Sequence, residues 1–273
     1  MRATAVVLAS VIGAALASPS PAQIVLNPLQ LSTPLSSCPA NGPISCHNSS
    51  RIPDLCCFES PGGLLLQTQF WDTHPSTGPE DSWTIHGLWP DNCDTTFNEN
   101  CDPSRAYTDI ASLLTDNGAT DTLNFMETYW VDMHGENEQF WEHEWSKHGT
   151  CMSTLNPQCL PSGSPDGFEA VLFFQTVVSL FQSLPTYTWL ANEGITPSHD
   201  RTYTLSELLS ALKRASGGIE PALDCKSGAL NAVSWYFNVK GSIADGTFVP
   251  INAPKHGDCH SSSRIKYLPK TRH

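Results

Sequence analysis

The apolar residues in the middle of the chain recur at helical spacing. The stretch 107–133 has this spacing, and the strongest signal is the run FEAVLFFQTVVSLFQSL within 164–184, which stops before Pro185. A shorter helix is expected over 205–215, where Thr204 is suited to cap the first turn. The middle of the chain is therefore predicted to be largely helical.

Shorter apolar stretches on either side of this region are typical of strands. They are GLLLQTQF at 63–70 and SWTIHGLW at 82–89 and, in the last third, AVSWYFNVKG and GTFVPI between glycine turns. A regular pleat in the second stretch would put Trp83, Ile85 and Gly87 on one face and Thr84, His86 and Leu88 on the other. Helices in the middle and strands at both ends predict an α+β fold.

The N-terminus has the pattern of a secretory signal. Arg2 precedes an apolar run that is too short to span a bilayer, and small residues suited to signal-peptidase cleavage follow it. We therefore expect a signal peptide at 1–17, a propeptide or loose arm at 18–34, and a single domain at 35–273. The mature protein is expected to be soluble and secreted, with no membrane segment.

Ten cysteines form an even set, which in a secreted chain favours five disulfides. Cys56 and Cys57 are neighbours, so each is expected to pair elsewhere, but spacing alone leaves the pairing open. One N-glycosylation sequon, at Asn48, marks an expected surface loop. Both features agree with the secretory signal.

The balance of charges narrows the class of protein. The formal net charge is −13 at pH 7, which disfavours tight non-specific adhesion to nucleic acids or anionic membranes. Ten histidines qualify this conclusion, because they add positive charge below about pH 6. The composition therefore suits a secreted protein that works in an acidic medium.

The segment FWEHEWSKHGTC at 140–151 concentrates the candidate chemistry. It begins like the HExxH zinc motif, but its two histidines are five residues apart and cannot chelate one ion from a helix as an i, i+4 pair does. Successive helical residues turn by about 100°, so the polar side chains share one face. They are His143, Glu144, Lys147 and His148. Two imidazoles, a carboxylate and a fixed cation suit proton transfer beside a developing negative charge.

The alternative for this segment is a solvated helix face with a weak Glu144–His148 pair. The aromatic residues of the segment argue against it, because they indicate a half-buried helix in which polar groups need a purpose. Cys151 would fix the end of the helix covalently. A rigid base for a polar cluster is what a preorganised site requires.

His86 is the second candidate for proton transfer. A lone histidine on a strand is more often a satisfied core residue than a catalyst, but Gly87 leaves room beside the ring for another group to approach. A strand histidine and a helix histidine on opposite sides of a cleft would divide the acid and base roles. We therefore pair His86 with the 140–151 segment.

Two motifs in this order resemble one family. WTIHGLWPDNC at 83–93 and FWEHEWSKHGTC at 140–151 are similar to the catalytic segments of the ribonuclease T-two family, the secreted acid ribonucleases with little base preference. The similarity extends from about Cys38 to the C-terminus, through GGLLLQTQFWD, YFNVKGS and the fungal arrangement of ten cysteines. It implies a curved antiparallel sheet packed against helices. The implied disulfides are Cys38–Cys57, Cys46–Cys93, Cys56–Cys159, Cys101–Cys151 and Cys225–Cys259.

The resemblance also implies an activity, namely endonucleolytic cleavage of single-stranded RNA through a 2′,3′-cyclic phosphate, with no metal or other cofactor. It makes His148 the base, His86 the acid and His143 a phosphate ligand, while Glu144 and Lys147 support the transition state. DNA lacks the 2′-OH and would not be cleaved. We expect a monomer, either secreted or held in a vacuolar or lysosome-like compartment.

For base binding, the resemblance makes Trp89 a stacking platform and Asp91 a hydrogen-bonding partner, although Trp89 in the core and Asp91 in a turn are alternatives. Phe97 stands where family members commonly carry a tyrosine, so stacking is kept but a hydroxyl is lost. Gln69 and Phe140 are assigned to a second base pocket.

Two other functions compete with this hypothesis. One is a catalytically silent storage or signalling protein of the same fold, which the intact His86, Glu144, Lys147 and His148 argue against. The other is a secreted zinc hydrolase, which the five-residue spacing of the two histidines argues against.

Overall fold

The computed structural model describes residues 24–25, 38–39, 41–48, 50–260, 262 and 264–271. The signal peptide expected at 1–17 lies outside the described residues, as does almost all of the segment 18–34. The described residues form an α+β fold with five disulfides, which confirms the predicted fold class.

Six α-helices occupy the middle of the described chain, as the apolar spacing predicts. They are α1 (Ile110–Asp116), α2 (Thr120–Tyr129), α3 (Asn137–Lys147), α4 (Phe168–Ser183), α5 (Thr186–Asn192) and α6 (Leu205–Ala215). The helical stretch 107–133 is divided between α1 and α2 at Gly118, whose φ of 72° ends the first helix. Thr204 caps α6 as expected, because its hydroxyl accepts from the Glu207 N–H while the Glu207 carboxylate accepts from the Thr204 N–H.

Eight strands form one sheet in the described part of the chain. They are β1 (Ile24–Val25), β2 (Leu64–Phe70), β3 (Thr84–Asp91), β4 (Thr202–Tyr203), β5 (Ala222–Lys226), β6 (Ala229–Lys240), β7 (Thr247–Ile251) and β8 (Ile265–Lys266). The main order is β1-β7-β6-β2-β3, all antiparallel, and β5 and β8 also pair with β6. β3 therefore lies at one edge of this order.

The pairing of β2 with β3 contains a bulge at the candidate histidine. Thr68 faces Gly87 while the next residue, Gln69, faces Ile85, so His86 is an extra residue without a partner across the ladder. As a result Ile85 and Leu88 both enter the main core, where a regular pleat would have separated them. The predicted alternation of this strand was therefore wrong beyond Ile85.

The main core lies between one face of the sheet and the helices. It contains most of α4 and the fully buried tryptophans Trp71, Trp83, Trp130, Trp145 and Trp235. The stretch Phe168–Asn192 is long and apolar enough to cross a membrane by composition, but 67% of its most apolar window is buried inside the fold, as in the core helix of a soluble protein. Burial of these aromatic side chains contributes strongly to the stability of the fold.

The five disulfides join the same cysteine pairs that the resemblance implies. They are Cys38–Cys57, Cys46–Cys93, Cys56–Cys159, Cys101–Cys151 and Cys225–Cys259. Cys56 and Cys57 thus connect to two different parts of the chain. Asn48 is exposed, as a glycosylation site requires.

Candidate active site

Helix α3 is held in place by the two tryptophans on its inner face. The Trp141 Nε1–H donates to the carbonyl of Trp130 at 2.8 Å, and the Trp145 Nε1–H donates to the carbonyl of Arg105 at 2.6 Å. Both indoles are buried. The tryptophans of the segment therefore set the rotation of α3, and with it the direction of the polar side chains.

The C-terminal end of α3 is fixed as well. The Asn100 N–H donates to the Lys147 carbonyl at 3.0 Å, and the disulfide Cys101–Cys151 closes the same connection covalently. At Gly149 a Cβ would overlap the Trp145 indole, so glycine is required there for the chain to turn against that ring. This end of the helix carries Lys147 and His148.

Five side chains meet at the edge of the sheet, where α3 approaches β3. We call them the histidine cluster: His86, His143, Glu144, Lys147 and His148. Glu144 and His148 are buried, the side chains of His86 and Lys147 are partly exposed, and His143 is exposed. The structure thus brings together the residues predicted from the two separate motifs.

The Glu144 carboxylate connects the helix to the strand. Its Oε1 lies 3.5 Å from His86 Nε2, and its Oε2 accepts a hydrogen bond of 2.8 Å from Trp89 Nε1. A Cβ at Gly87 would overlap Glu144 Oε2, so the glycine is what admits the carboxylate to the strand. The group that uses the room predicted beside the His86 ring is therefore Glu144.

The indole of Trp89 contacts both histidines that are candidates for proton transfer. It stacks on His148 with ring centroids 5.1 Å apart and meets His86 edge to face at 4.7 Å. Phe70 stacks on His86 at 4.0 Å. Trp89 therefore packs against His86 and His148 and holds Glu144 by its hydrogen bond.

Burial controls the protonation of the histidine cluster. Desolvation raises the pKa of Glu144 to about 8, and the hydrogen bond from Trp89 and the charge of Lys147 oppose this shift. Desolvation lowers the pKa of His86 and of His148 to about 3, and nearby cationic groups add to both shifts. The contacting Glu144–His86 pair therefore holds one proton between about pH 3 and pH 8, while His148 is neutral.

The outer part of the cluster faces solvent. The rings of His143 and His148 are 6.5 Å apart, and Lys147 Nζ lies 3.5 Å from Glu99 Oε2. Desolvation and the charge of Lys147 lower the pKa of His143, while Glu99 acts in the opposite direction. Lys147 and His143 are thus placed to meet an anion that enters from solvent.

A second group of side chains lies at the end of β3, and we call Asp91, Phe97 and Lys255 the base rim. Asp91 pairs with Phe97 in an isolated antiparallel bridge, and the Phe97 side chain is 59% exposed. Lys255 Nζ donates to the Thr95 carbonyl at 3.1 Å. Desolvation raises the pKa of the half-buried Asp91 to about 6, and Lys255 opposes that shift.

The two residues assigned to a second base pocket have different surroundings. Phe140 lies beside His86, with ring centroids 5.7 Å apart. Gln69 is fully buried on the helix side of β2, where its Nε2 donates to Gln67 Oε1 and to the Leu184 carbonyl, both at 3.1 Å. Its neighbour Phe70 is the residue of β2 that reaches His86, and the assignment of Gln69 to a pocket with Phe140 stays a prediction.

Comparison with known proteins identifies this arrangement. The model of the Ribonuclease T2 family matches residues 62–249, which include both histidine segments. The chain belongs to the ribonuclease T2 family. Ribonuclease Le2 of Lentinula edodes is 59% identical over 237 residues, or 86% of this chain and 98% of the relative. Ribonuclease T2 of Aspergillus oryzae is 49% identical over 86% of this chain and 84% of the relative.

A solved T2 ribonuclease has the same fold. The crystal structure of Actibind, described as a T2 ribonuclease, superimposes with a TM-score of 0.83 at 48% identity, covering 88% of this chain and all of that chain. Together with the fungal relatives, this makes the protein a ribonuclease of the T2 family with RNA as its substrate.

Sequence reasoning missed three participants in the site: the Trp89 bond to Glu144, Glu99 beside Lys147, and Lys255. The Trp89–Glu144 contact had a signal in the sequence, because a glycine inside a strand pattern, here Gly87, marks a bulge or a close approach of another group. Glu99 and Lys255 had none, since each is a single charged residue in a loop and Lys255 is distant in sequence from both motifs.

Proposed function

We propose that the protein is an endoribonuclease that cleaves single-stranded RNA by transphosphorylation at the histidine cluster. The ribose 2′-OH attacks the adjacent phosphorus and the 5′-oxygen leaves, which gives a 2′,3′-cyclic phosphate that water then opens to a 3′-phosphate. The observation that carries this proposal is the contact between Glu144 and His86, a pair that retains one proton, close to a neutral His148. An acid and a base are therefore available together in mild acid.

The protonation states support one division of roles. His148 is neutral above about pH 3, so it can take the proton of the 2′-OH as the general base. His86 contacts Glu144 through Nε2, so the proton shared by this pair can pass to the leaving 5′-oxygen. Glu144 then acts as a positioning residue and proton reservoir for His86.

Charge stabilisation is assigned to the solvent side of the cluster. Lys147 carries a fixed positive charge, and the exposed His143 can bind a phosphate oxygen. The negative net charge of the protein makes this local attraction necessary for a polyanionic substrate. These residues supply the charge in our mechanism, which uses no metal ion.

The bound base is assigned to the base rim. Phe97 offers an exposed ring for stacking, which tolerates every base, and Asp91 offers hydrogen bonds. Trp89 remains assigned to base stacking beside its contact with His148, and Phe140 remains assigned to a second base through its position beside His86. Weak base preference follows from a site dominated by stacking.

Other properties complete the proposal. DNA should resist cleavage, because it has no 2′-OH to attack the phosphorus. The signal pattern at 1–17 and the five disulfides favour a secreted protein, with a vacuolar compartment as the alternative. We propose that the mature protein, residues 35–273 or a longer form with the segment 18–34, acts as a soluble monomer.

Digestion of a short RNA at pH 5, followed by mass spectrometry, tests the mechanism. We expect 2′,3′-cyclic phosphate products that convert to 3′-phosphates, no cleavage of the matched DNA, and the same rate with and without EDTA. Products that carry 5′-phosphates would contradict transphosphorylation. Activity that is lost in EDTA and restored by zinc would instead favour a metal-dependent hydrolase.

The pH profile of kcat/KM tests the assignment of roles. A base with a pKa of about 3 and an acid pair with a pKa of about 8 predict a bell-shaped profile centred at about pH 5.5. His148→Ala should remove the acid limb together with most of the activity. A wild-type profile that rises steadily to pH 9 would be incompatible with these roles.

A further inference from the structure

The Asp91 carboxyl has unfilled hydrogen-bonding capacity. It lies at the end of β3, half-buried, and among the residues that the structure describes no group donates a hydrogen bond to it. Partly buried polar groups are normally hydrogen-bonded, because desolvation without a partner is costly. Beside it stands the exposed ring of Phe97. A flat ligand stacked on that ring would bring its polar edge to the Asp91 carboxyl.

The charged and titratable groups around Asp91 come from three parts of the chain. Lys255, from the loop after β7, donates from Nζ to the Thr95 carbonyl at 3.1 Å, in the turn between Asp91 and Phe97, and its charge acts to lower the pKa of both Asp91 and the exposed Asp94. Tyr236 of β6 is also within the influence of Asp91, and burial together with the charges of Asp91 and Asp224 raises its pKa to about 12, so it remains neutral. Lys255 is therefore the described cation that acts on the Asp91 carboxyl.

We propose that Lys255 is a specificity-determining residue, which controls whether Asp91 meets the bound base as an ionised carboxylate or as a neutral acid. This inference rests on the proposed RNA cleavage and names the base preference of the same site. Lys255 lies outside residues 62–249, the part of the chain that the family model matches.

The two forms of the carboxyl fit different bases. An ionised carboxylate only accepts hydrogen bonds, so it fits the Watson–Crick edge of guanine, which offers two adjacent N–H donors. A neutral carboxyl donates one hydrogen bond and accepts another, so it fits adenine or cytosine, which offer one donor beside one acceptor. The ratio of guanine to adenine cleavage should therefore rise with pH.

The direction of the effect of Lys255 follows from its charge. Burial raises the pKa of Asp91 to about 6, and the ammonium of Lys255 opposes that rise. Loss of the ammonium would leave the effect of burial unopposed and move the change in base preference to higher pH. Lys255→Arg would keep the charge, and with it the pH at which the base preference changes.

The test compares kcat/KM for GpU and ApU, and for UpG and UpA, between pH 4.5 and pH 7.5. The catalytic histidines serve every substrate, so their titration cancels when kcat/KM for the guanine substrate is divided by kcat/KM for the adenine substrate. The remaining pH dependence of this ratio comes from the base site. For one of the two pairs we expect the wild-type ratio to rise roughly tenfold, with a midpoint at about pH 6. The responding pair shows which side of the scissile bond the base rim binds.

Four variants separate the proposal from a structural effect. Lys255→Gln should move the midpoint to higher pH, Lys255→Arg should keep it, and Asp91→Asn should make the ratio independent of pH. Lys266→Gln, an exposed lysine on β8, is the matched control and should leave both the ratio and the rate unchanged.

Two results would overturn the inference while leaving RNA cleavage intact: a wild-type ratio that does not change with pH, or a midpoint that is the same in Lys255→Gln as in the wild type. Failure of the wild-type protein to cleave any dinucleotide would instead overturn the proposed function, and this inference with it.

Discussion

His86 and Asp91 are five residues apart on the same strand, yet their surroundings are opposite. His86 is enclosed by Phe70, Trp89 and Phe140 and touches the buried Glu144. Asp91 has an exposed phenylalanine beside it and no described hydrogen-bond donor. The groups proposed for catalysis are thus fixed in advance by packing, while those proposed for base recognition are left for the substrate to complete. Substitutions in the two regions should therefore affect different kinetic constants.

The largest expected effect is the loss of a histidine that we propose to be catalytic. His86→Ala should lower kcat by about 10²–10⁴-fold, because the leaving oxygen loses its acid. Phe97→Ala at the base rim should instead raise KM and leave kcat nearly unchanged. Steady-state kinetics on a dinucleotide measure both constants. His199→Ala, an exposed histidine elsewhere, is the control and should behave like the wild type. Equal losses of kcat in His86→Ala and Phe97→Ala would contradict the division into a catalytic region and a base-recognition region.

The next effect comes from the glycine that admits Glu144. Gly87→Ala adds a methyl group where Glu144 Oε2 lies, so the carboxylate must move and the contact with His86 is lost. A displacement of this size should lower kcat by about 10²-fold. Gly118→Ala is the contrasting variant, because its Cβ would meet open space but its φ is 72°. It should lower the melting temperature and keep kcat, whereas normal activity in Gly87→Ala would count against the site geometry.

A third comparison uses two disulfides. Replacing Cys101 and Cys151 by serine frees the end of α3, whereas replacing Cys225 and Cys259 loosens β5 and the loop after β7. Each loss should lower the free energy of unfolding by about 2–5 kcal/mol. The first pair should also lower kcat, because His148 lies three residues before Cys151. Urea unfolding and kinetics on the same samples check this, and an equal effect of both pairs on kcat would weaken the argument for a covalently fixed helix.

The smallest effect concerns pH and stability. Between about pH 4.3 and pH 8, folded Glu144 keeps a proton that the unfolded chain releases, so this group makes the free energy of unfolding fall as the pH rises. Below about pH 6.5 the unfolded chain protonates His86 and His148 while the folded protein does not, so these groups lower stability as the pH falls.

The combined contribution of the three groups to the free energy of unfolding is therefore highest at about pH 6.5. Glu144→Gln should remove the decrease between about pH 6.5 and pH 8, which urea unfolding at a series of pH values measures. Glu127→Gln, an exposed residue on α2, is the control. The same alkaline decrease in Glu144→Gln and the wild type would show that Glu144 is not its origin.

The helix side of this comparison could be predicted from the sequence. The period of α3 and the angles between its residues place His143, Glu144, Lys147 and His148 on one face, and its tryptophans indicate burial. α4 and α6 are recognisable for the same reason. At Pro185 the pattern correctly ended α4, but α5 begins at the next residue, because a proline that cannot donate a hydrogen bond is suited to a helix start.

The strand side could not be predicted to the same depth. Alternation assumes a regular pleat, whereas one extra residue at His86 returns Leu88 to the core and brings Trp89 beside His86. The side of β2 on which Gln69 lies could not be predicted for a related reason, since a motif gives the order of residues but not the face of the strand they occupy. The pairing of the cysteines required the family resemblance, because spacing alone leaves it open.

The stacking of Trp89 on His148 gives the free enzyme a built-in optical signal. An excited indole loses its energy by electron transfer to a neighbouring imidazolium far more readily than to a neutral imidazole, so Trp89 emission should fall when His148 gains a proton. Subtracting the emission of Trp89→Phe from that of the wild type isolates this indole from the other seven tryptophans. The protonation of the two histidines that contact Trp89, His148 and His86, can then be followed by fluorescence in the absence of any RNA.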